Sequence, residues 1–375
     1  MKLTCIQENL NFGLQSTGHL VNKNVNLPIL NNVLVEATNG GLKLSSTNLE
    51  IGISCQVRCK VEVEGSFTVD AKLLSDYVNL LPNEQINIDL EKGNNLKISC
   101  RNSNTKIKGI VADDFPVIPV IEKTNAFKIK IKDFKKALAQ VIFAVSVSET
   151  RPEISGVLMS FNKLEKNKLF MVGTDSYRLT EKNIPVESNG EEKEVIVPMK
   201  TLQETLRILN GLKDQSGTEE DLEIYLSENQ ILFTCGGVEL ISRLIEGQFP
   251  DYKQIIPTET KTKAVIATSE LTKAIKTVAL FSKTGIFDIN LNFDPSKGMT
   301  MQATNTQVGE SKSDLEVAYE GEANETVLNY RYILDGLSNI TADEVELSLV
   351  DSNIPFIMKP KGDDSYTYII MPIKQ

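Results

Sequence analysis

The sequence has one histidine, His19, and no tryptophan, and only 6% of its residues are aromatic. A single imidazole removes most Ser-His-Asp, Cys-His and multi-His metal chemistry. Neither GxGxxG nor GxxxxGK[ST] occurs, so phosphate-cradling loops of the usual types are missing. No window approaches 18 uninterrupted apolar residues, so no membrane span is expected. Residues 1–15 carry no apolar signal-peptide core, and the expected location is cytoplasmic. The cysteines are Cys5, Cys55, Cys59, Cys100 and Cys235, an odd number that argues for reduced thiols. Cys55 and Cys59 have no second pair and no nearby His to complete a metal site, so they read as small core-filling side chains. Low-complexity stretches and long like-charge blocks are absent too, which excludes extended disorder.

What is there is a globular mixture of 375 residues, 41% hydrophobic and 24% charged, long enough for two or three domains. Three stretches open alike, with an alternating apolar run and then a helical period. They begin at Lys2, Phe127 and Lys263. Leu10/Leu14, Phe134/Leu138 and Leu271/Ile275 occupy matching i, i+4 positions on one helix face. Asn9, Asp133 and Ser269 stand before these runs as N-cap candidates. A second strand-then-helix unit follows in each stretch. Val69, Val197 and Leu328 align in it, as do Leu74, Leu202 and Ile333. The turns NGG at 39–41 and PSKG at 295–298 are hairpin signals. Two proline-bearing linkers, Asp114–Asn125 and Gln248–Thr262, separate the repeats. The pattern predicts an α+β fold of three similar domains, 1–122, 123–254 and 255–375, each with two helices packed on antiparallel sheet.

Charge is placed unevenly on this repeat. The chain has a formal net charge of −10, yet its six helix-like segments together are positive. Strands and loops are therefore acidic. Helices sharing one face would attract a polyanion while the rest repels it. No aromatic series accompanies the lysines, so backbone tracking fits better than base readout.

Several motifs carry a family resemblance. They are LPILNNVLVEA (27–37), STNLEIGI (46–53), ADDFP (112–116), RPEISGVLMSF (151–161), VGTDSYRLT (172–180), EGQFPDYKQIIP (246–257) and the terminal YIIMPIKQ (368–375). In this order on a triplicated chain, they resemble the bacterial DNA polymerase III beta subunits, the sliding clamps. The resemblance implies the DNA clamp fold and a head-to-tail homodimeric ring of six domains, with helices lining the hole. It implies a processivity factor, not an enzyme, with no catalytic residue, metal or cofactor. The implied partners are encircled double-stranded DNA, the replicative polymerase, the clamp loader and other proteins with clamp-binding peptides.

The resemblance also implies sites. A peptide groove would use Ile154, Thr174, Ser176, Tyr177, Arg178, Leu179, Pro250 and Ile255, with Tyr332, Pro355, Ile369, Met371 and Pro372 from the third domain. Lys23, Lys72, Lys135, Lys136, Lys200, Arg207, Lys273, Lys276 and Arg331 would face DNA. Ile107, Leu280 and Phe281 would form the dimer contact. Asn24 and Gln254 stand where many members carry a basic residue, and Thr105 where an aromatic one is frequent. Two other readings are a peptide-binding repeat scaffold without DNA and a carboxylate hydrolase centred on Asp175. Particle size separates the first from a clamp, and Asp175 has no paired carboxylate nearby in sequence.

Overall fold

A computed structural model describes residues 1–20, 27–148, 150–212 and 221–374. Six α-helices occur among them: α1 (Gln7–Thr17), α2 (Ala71–Leu80), α3 (Ile131–Ile142), α4 (Met199–Gly211), α5 (Thr268–Ala279) and α6 (Tyr330–Ser338). Each begins where a strand ends. Those strands are Lys2–Ile6, Gly65–Asp70, Phe127–Lys130, Lys193–Pro198, Thr262–Ala267 and Asn324–Asn329. The threefold repeat of two strand–helix units is thus present in the backbone. The aligned positions Leu10, Leu14, Phe134, Leu138, Leu271 and Ile275 are all buried. So are Val69, Val197, Leu328, Leu74, Leu202 and Ile333. Each such side chain contributes about 1.5–3 kcal/mol of transfer free energy when fully covered.

Asn9, Asp133 and Ser269 are not N-caps; all three lie inside their helices. The strands run straight into α1 and α5, leaving no capping loop. The first helical amides find carbonyls distant in sequence instead: Gln7 N–H donates to Glu84 O and Thr268 N–H to Asp343 O, both at 2.8 Å. Side-chain caps appear on second helices. Asp70 accepts from Leu73 N at 2.7 Å before α2, and Asn329 accepts from Arg331 N at 2.9 Å before α6.

Two compact units divide the chain. Unit 1 holds Met1–Ile131 with Gln203–Leu244, and unit 2 holds Lys132–Leu202 with Ile245–Gln375. The middle repeat therefore contributes to both. In unit 1 the described strands form one antiparallel sheet, with Phe127–Lys130 at one edge and Cys59–Val63 at the other. Within it Val238–Arg243 of the middle repeat pairs with Ile51–Val57 of the first. In unit 2 a second sheet is joined in the same way, by Arg178–Pro185 against Tyr366–Ile370. A further sheet of Gly309–Leu315, Gly298–Asn305, Asp288–Asp294 and Asn324–Asn329 completes unit 2. The two hairpins signalled in the sequence join Asn32–Thr38 to Gly41–Thr47 and Asp288–Asp294 to Gly298–Asn305. Gly41 and Gly298 have φ of 120° and 84°, which only glycine adopts readily. Cys5, Cys55, Cys100 and Cys235 are buried thiols, and burial pushes the pKa of Cys5 and of Cys55 up to about 12.

Candidate functional site

The strand pairing in unit 2 sets Leu179 directly opposite Ile369. Both are buried in one apolar cluster with Ile154, Leu158, Val172, Phe249 and Tyr252. This cluster floors a cavity of about 130 Å³. Of the residues expected to form a groove, Ile154, Thr174, Ser176, Arg178, Leu179, Pro250, Ile255, Ile369 and Met371 line it. Four do not. The Tyr177 side chain is exposed, and its carbonyl accepts from Met371 N at 2.8 Å. Tyr332 stacks under Arg178, while Pro355 and Pro372 lie off the lining. Arg151, Asp251 and Tyr252 also line the cavity. They sit inside the RPEISG and FPDYKQ motifs, and membership of those motifs is the sequence signal that points to them.

A turn with an internal hydrogen-bond set builds the rim. Thr174 Oγ1 donates to Arg178 O at 2.7 Å and accepts from Ser176 N at 3.1 Å. Asp175 Oδ1 accepts from Tyr177 N at 2.9 Å and from Arg178 N at 3.0 Å. Asx and Thr side chains favour such turns because their oxygens replace backbone acceptors. The turn puts Ser176 at φ 78°, an uncommon value for a residue with a Cβ. Arg151 Nη1 donates to Ser176 Oγ at 3.0 Å. Asp175 is therefore engaged in the turn, and the Asp335 carboxylate near it is paired to the same Arg178 guanidinium.

Arg178 ties this turn to the third repeat. Its guanidinium donates to Asp175 Oδ2 at 3.0 Å, to Asp335 Oδ2 on α6 at 2.5 Å and to Phe143 O at 3.0 Å. It lies 4.6 Å from the Tyr332 ring centroid and 5.5 Å from that of Phe143. Burial opposes its charge, but Tyr368, Asp335 and Asp175 hold its pKa above the usual Arg value. On the far wall, Tyr252 donates to Glu181 Oε2 at 2.5 Å, and burial with that carboxylate pushes the phenol pKa up. Gln254 donates to Asp251 Oδ2 at 2.7 Å, which fixes an acidic group at the mouth. The result is a small apolar slot with a polar, hydrogen-bonded rim. Such a slot can take one or two apolar side chains of an extended segment.

The cationic residues lie elsewhere. Lys72, Lys136, Lys200, Lys273, Lys276 and Arg331 are exposed on helices α2 to α6, and Lys135 is half-buried on α3. Lys23 lies outside the described residues, as does Asn24. Arg207 is engaged within the protein and donates to Gln15 O and Ser16 O, each at 2.8 Å, at the C-terminal end of α1. Glu204 joins it at 2.8 Å and also meets His19 Nδ1 at 2.6 Å. A larger cavity, about 820 Å³, opens beside this cluster in unit 1, with Phe12, Lys72 and Asp76 in its lining. Its lining mixes both charge signs and holds none of the groove residues.

Ile107 departs from expectation. It is buried in its own sheet, opposite Leu96, and so has no side chain to offer a second copy. The alternation along Ser103–Ile110 turns it to the inner face. Leu280 is 75% exposed and Phe281 is half-buried.

Comparison with known proteins gives one family. The DNA polymerase III beta subunit N-terminal domain matches residues 1–119, its central domain 128–251 and its C-terminal domain 253–374. A beta sliding clamp of Staphylococcus aureus is 30% identical over 370 residues, 96% of each chain. The crystal structure of the DNA polymerase sliding clamp from Bacillus subtilis superposes with a TM-score of 0.92 at 26% identity, covering 100% of this chain and 99% of that one. A putative DNA polymerase III beta subunit from Eubacterium rectale gives a TM-score of 0.91 at 28% identity, with 100% of both chains covered.

The rim depends on the Arg178 fork. Lysine cannot reach Asp175, Asp335 and the Phe143 carbonyl together. Arg178→Lys is expected to cost about 1–3 kcal/mol in urea unfolding, from polar groups left unpaired. Hydrogen exchange at 174–178 should rise with it. A change within about 0.5 kcal/mol, the range of ordinary surface substitutions, would rule this role out.

Proposed function

The chain belongs to the DNA polymerase III beta subunit family of sliding clamps, and from that membership we propose that two copies close head to tail around duplex DNA. Its function is that of a sliding clamp: it gives processivity to DNA replication and catalyses no reaction itself. The observation that carries the reading is a match over all three repeats, not over one module. In this reading the unit 2 groove receives short apolar peptide segments of the replicative polymerase, the clamp loader and other DNA-processing proteins. Met371 completes its apolar lip.

Duplex DNA would be held by topology, with weak contacts. Lys72, Lys135, Lys136, Lys200, Lys273, Lys276 and Arg331 supply cations, and an otherwise acidic chain repels DNA from other faces. Contacts to phosphates alone let the ring slide, because they carry no sequence information.

Two strand edges support closure between copies. Ser103–Lys108 pairs on one side only among the described strands, and Gly309–Leu315 is the edge of its sheet. The first carries Lys106 and Lys108, and the second Glu310, Lys312 and Asp314, so the first is basic and the second acidic on balance. Such edges invite pairing with another chain, and their opposite charges select each other over self-pairing. The exposed Leu280 and half-buried Phe281 add apolar surface, so the contact rests on these and on the edges, without Ile107.

Three outcomes test this. Met371→Asp should weaken binding of a labelled polymerase-tail peptide at least about tenfold, because a carboxylate would be desolvated in the slot. Equal affinity would place the groove elsewhere. Leu280→Asp with Phe281→Asp should give a folded monomer by sedimentation, and a persisting dimer would remove this contact. Reversing Lys135, Lys136, Lys200 and Lys273 to Glu should shorten retention on circular DNA at low salt, with the difference shrinking as salt rises. Unchanged retention at low salt would show that these helices do not meet DNA.

A further inference from the structure

The turn that builds the groove rim occurs a second time, in unit 1. Thr47 Oγ1 donates to Ile51 O at 2.9 Å and accepts from Leu49 N at 3.0 Å. Asn48 Oδ1 accepts from Glu50 N at 3.0 Å and from Ile51 N at 2.7 Å. These four bonds repeat, atom for atom, those of Thr174–Arg178. Leu49 has φ 77° where Ser176 has 78°. Upstream, short 3-10 turns at Pro28–Asn31 and Pro152–Ile154 bury Leu30 and Ile154 respectively. Downstream, the strand after each turn pairs with the last strand of the following repeat. Gly52 faces Ile241, as Leu179 faces Ile369. A Phe-Pro linker follows in both, with Phe115 and Phe249 buried alike.

The two places differ in one respect. The position of Leu179 is taken in unit 1 by Gly52, and a linker side chain lies over it. A Cβ on Gly52 would come within 2.7 Å of Ile118 Cγ2 and 3.1 Å of Ile241 Cγ2. Ile118 packs with the buried cluster of Ile121, Tyr225, Leu232 and Ile241. The residue three places after the linker phenylalanine in unit 2 is Tyr252, which bonds to Glu181 and walls an open slot. A cavity that touches Ile118 has neither Gly52 nor Ile241 in its lining.

We propose that unit 1 carries a latent second groove, of the same peptide-anchoring class, which Ile118 fills in cis. The ligand class is a short extended peptide with one aliphatic or aromatic anchor. The linker itself has that chemistry, reading Phe-Pro-Val-Ile-Pro-Val-Ile from Phe115, with Val117 and Val120 93% exposed beside the seated Ile118. A covalently attached occupant acts at an effective concentration of order millimolar, so a free peptide of ordinary affinity does not displace it. The chain therefore presents one open groove per copy although its repeat builds the frame of two. The assignment rests on the reading of the unit 2 slot as a peptide groove.

Titration calorimetry with a synthetic peptide carrying adjacent Leu and Phe in a polar sequence separates the two claims. Wild-type protein should bind one peptide per chain and Met371→Asp none. The double variant Ile118→Ala with Met371→Asp should regain one site per chain. No binding to wild type would overturn the groove reading. One site in wild type with none in the double variant would overturn the latent groove. Gly52→Ala tests the seat without peptide. Its Cβ should expel Ile118 and move the Ile118 methyl NMR resonances to solvent-exposed, random-coil positions, and unchanged methyl shifts would overturn the proposal.

Discussion

The pairing of Arg178–Pro185 with Tyr366–Ile370 is the contact on which the functional part of unit 2 depends. It is a backbone contact between repeats, so it fixes register before any side chain is chosen. Register then decides which residues meet. A slip of one position in either strand would turn its member of the Leu179–Ile369 pair to the opposite face and open the slot's floor. Arg178 locks the same joint from the side, since its three acceptors lie on the rim turn, on α6 and at Phe143. The groove is therefore a product of sheet continuity, and its apolar lining is supported by a polar network with little freedom to relax.

Much of this frame is legible in the sequence. Apolar positions that recur at i, i+4 are buried wherever the helix packs on sheet, as Phe134 and Leu138 show. Repetition makes the pattern readable, because three weak signals at one spacing reinforce each other. Helix starts are less legible. A cap search looks for Ser, Thr, Asp or Asn before the first turn, but Gln7 and Thr268 find their acceptors on residues far along the chain. Local pattern carries no trace of such a partner. Ile107 is misleading for a related reason: alternation shows that a strand has two faces, and only tertiary packing shows which is inside. Arg151, Asp251 and Tyr252 reach the slot because whole motifs fold onto it, and the motif alone does not say which of its members turn inward.

The charge pattern has a plain physical meaning under clamp function. An acidic protein with cations restricted to helices does not stick to DNA over its whole surface. Engagement of Arg207 with the end of α1 shows that cations on these helices have two masters, structure and ligand. The exposed lysines of α2 to α5 have flexible four-carbon stems and suit a ligand that must move past them.

The two inter-repeat joints show how a repeated frame acquires a single site. Both have the same turn, the same left-handed residue and the same cross-strand pairing. Gly52, the counterpart of Leu179, leaves room for Ile118 of the linker at one joint, and Leu179 fills the matching position at the other. Specificity in number thus needs no separate apparatus. One side chain, present or absent, decides whether the protein's own linker or a partner's peptide occupies the seat, and the energy at stake is that of a single buried aliphatic group, about 1.5–3 kcal/mol. A difference of that size is large against the marginal stability of a linker, which is why the local sequence can settle it while the rest of the repeat stays unchanged.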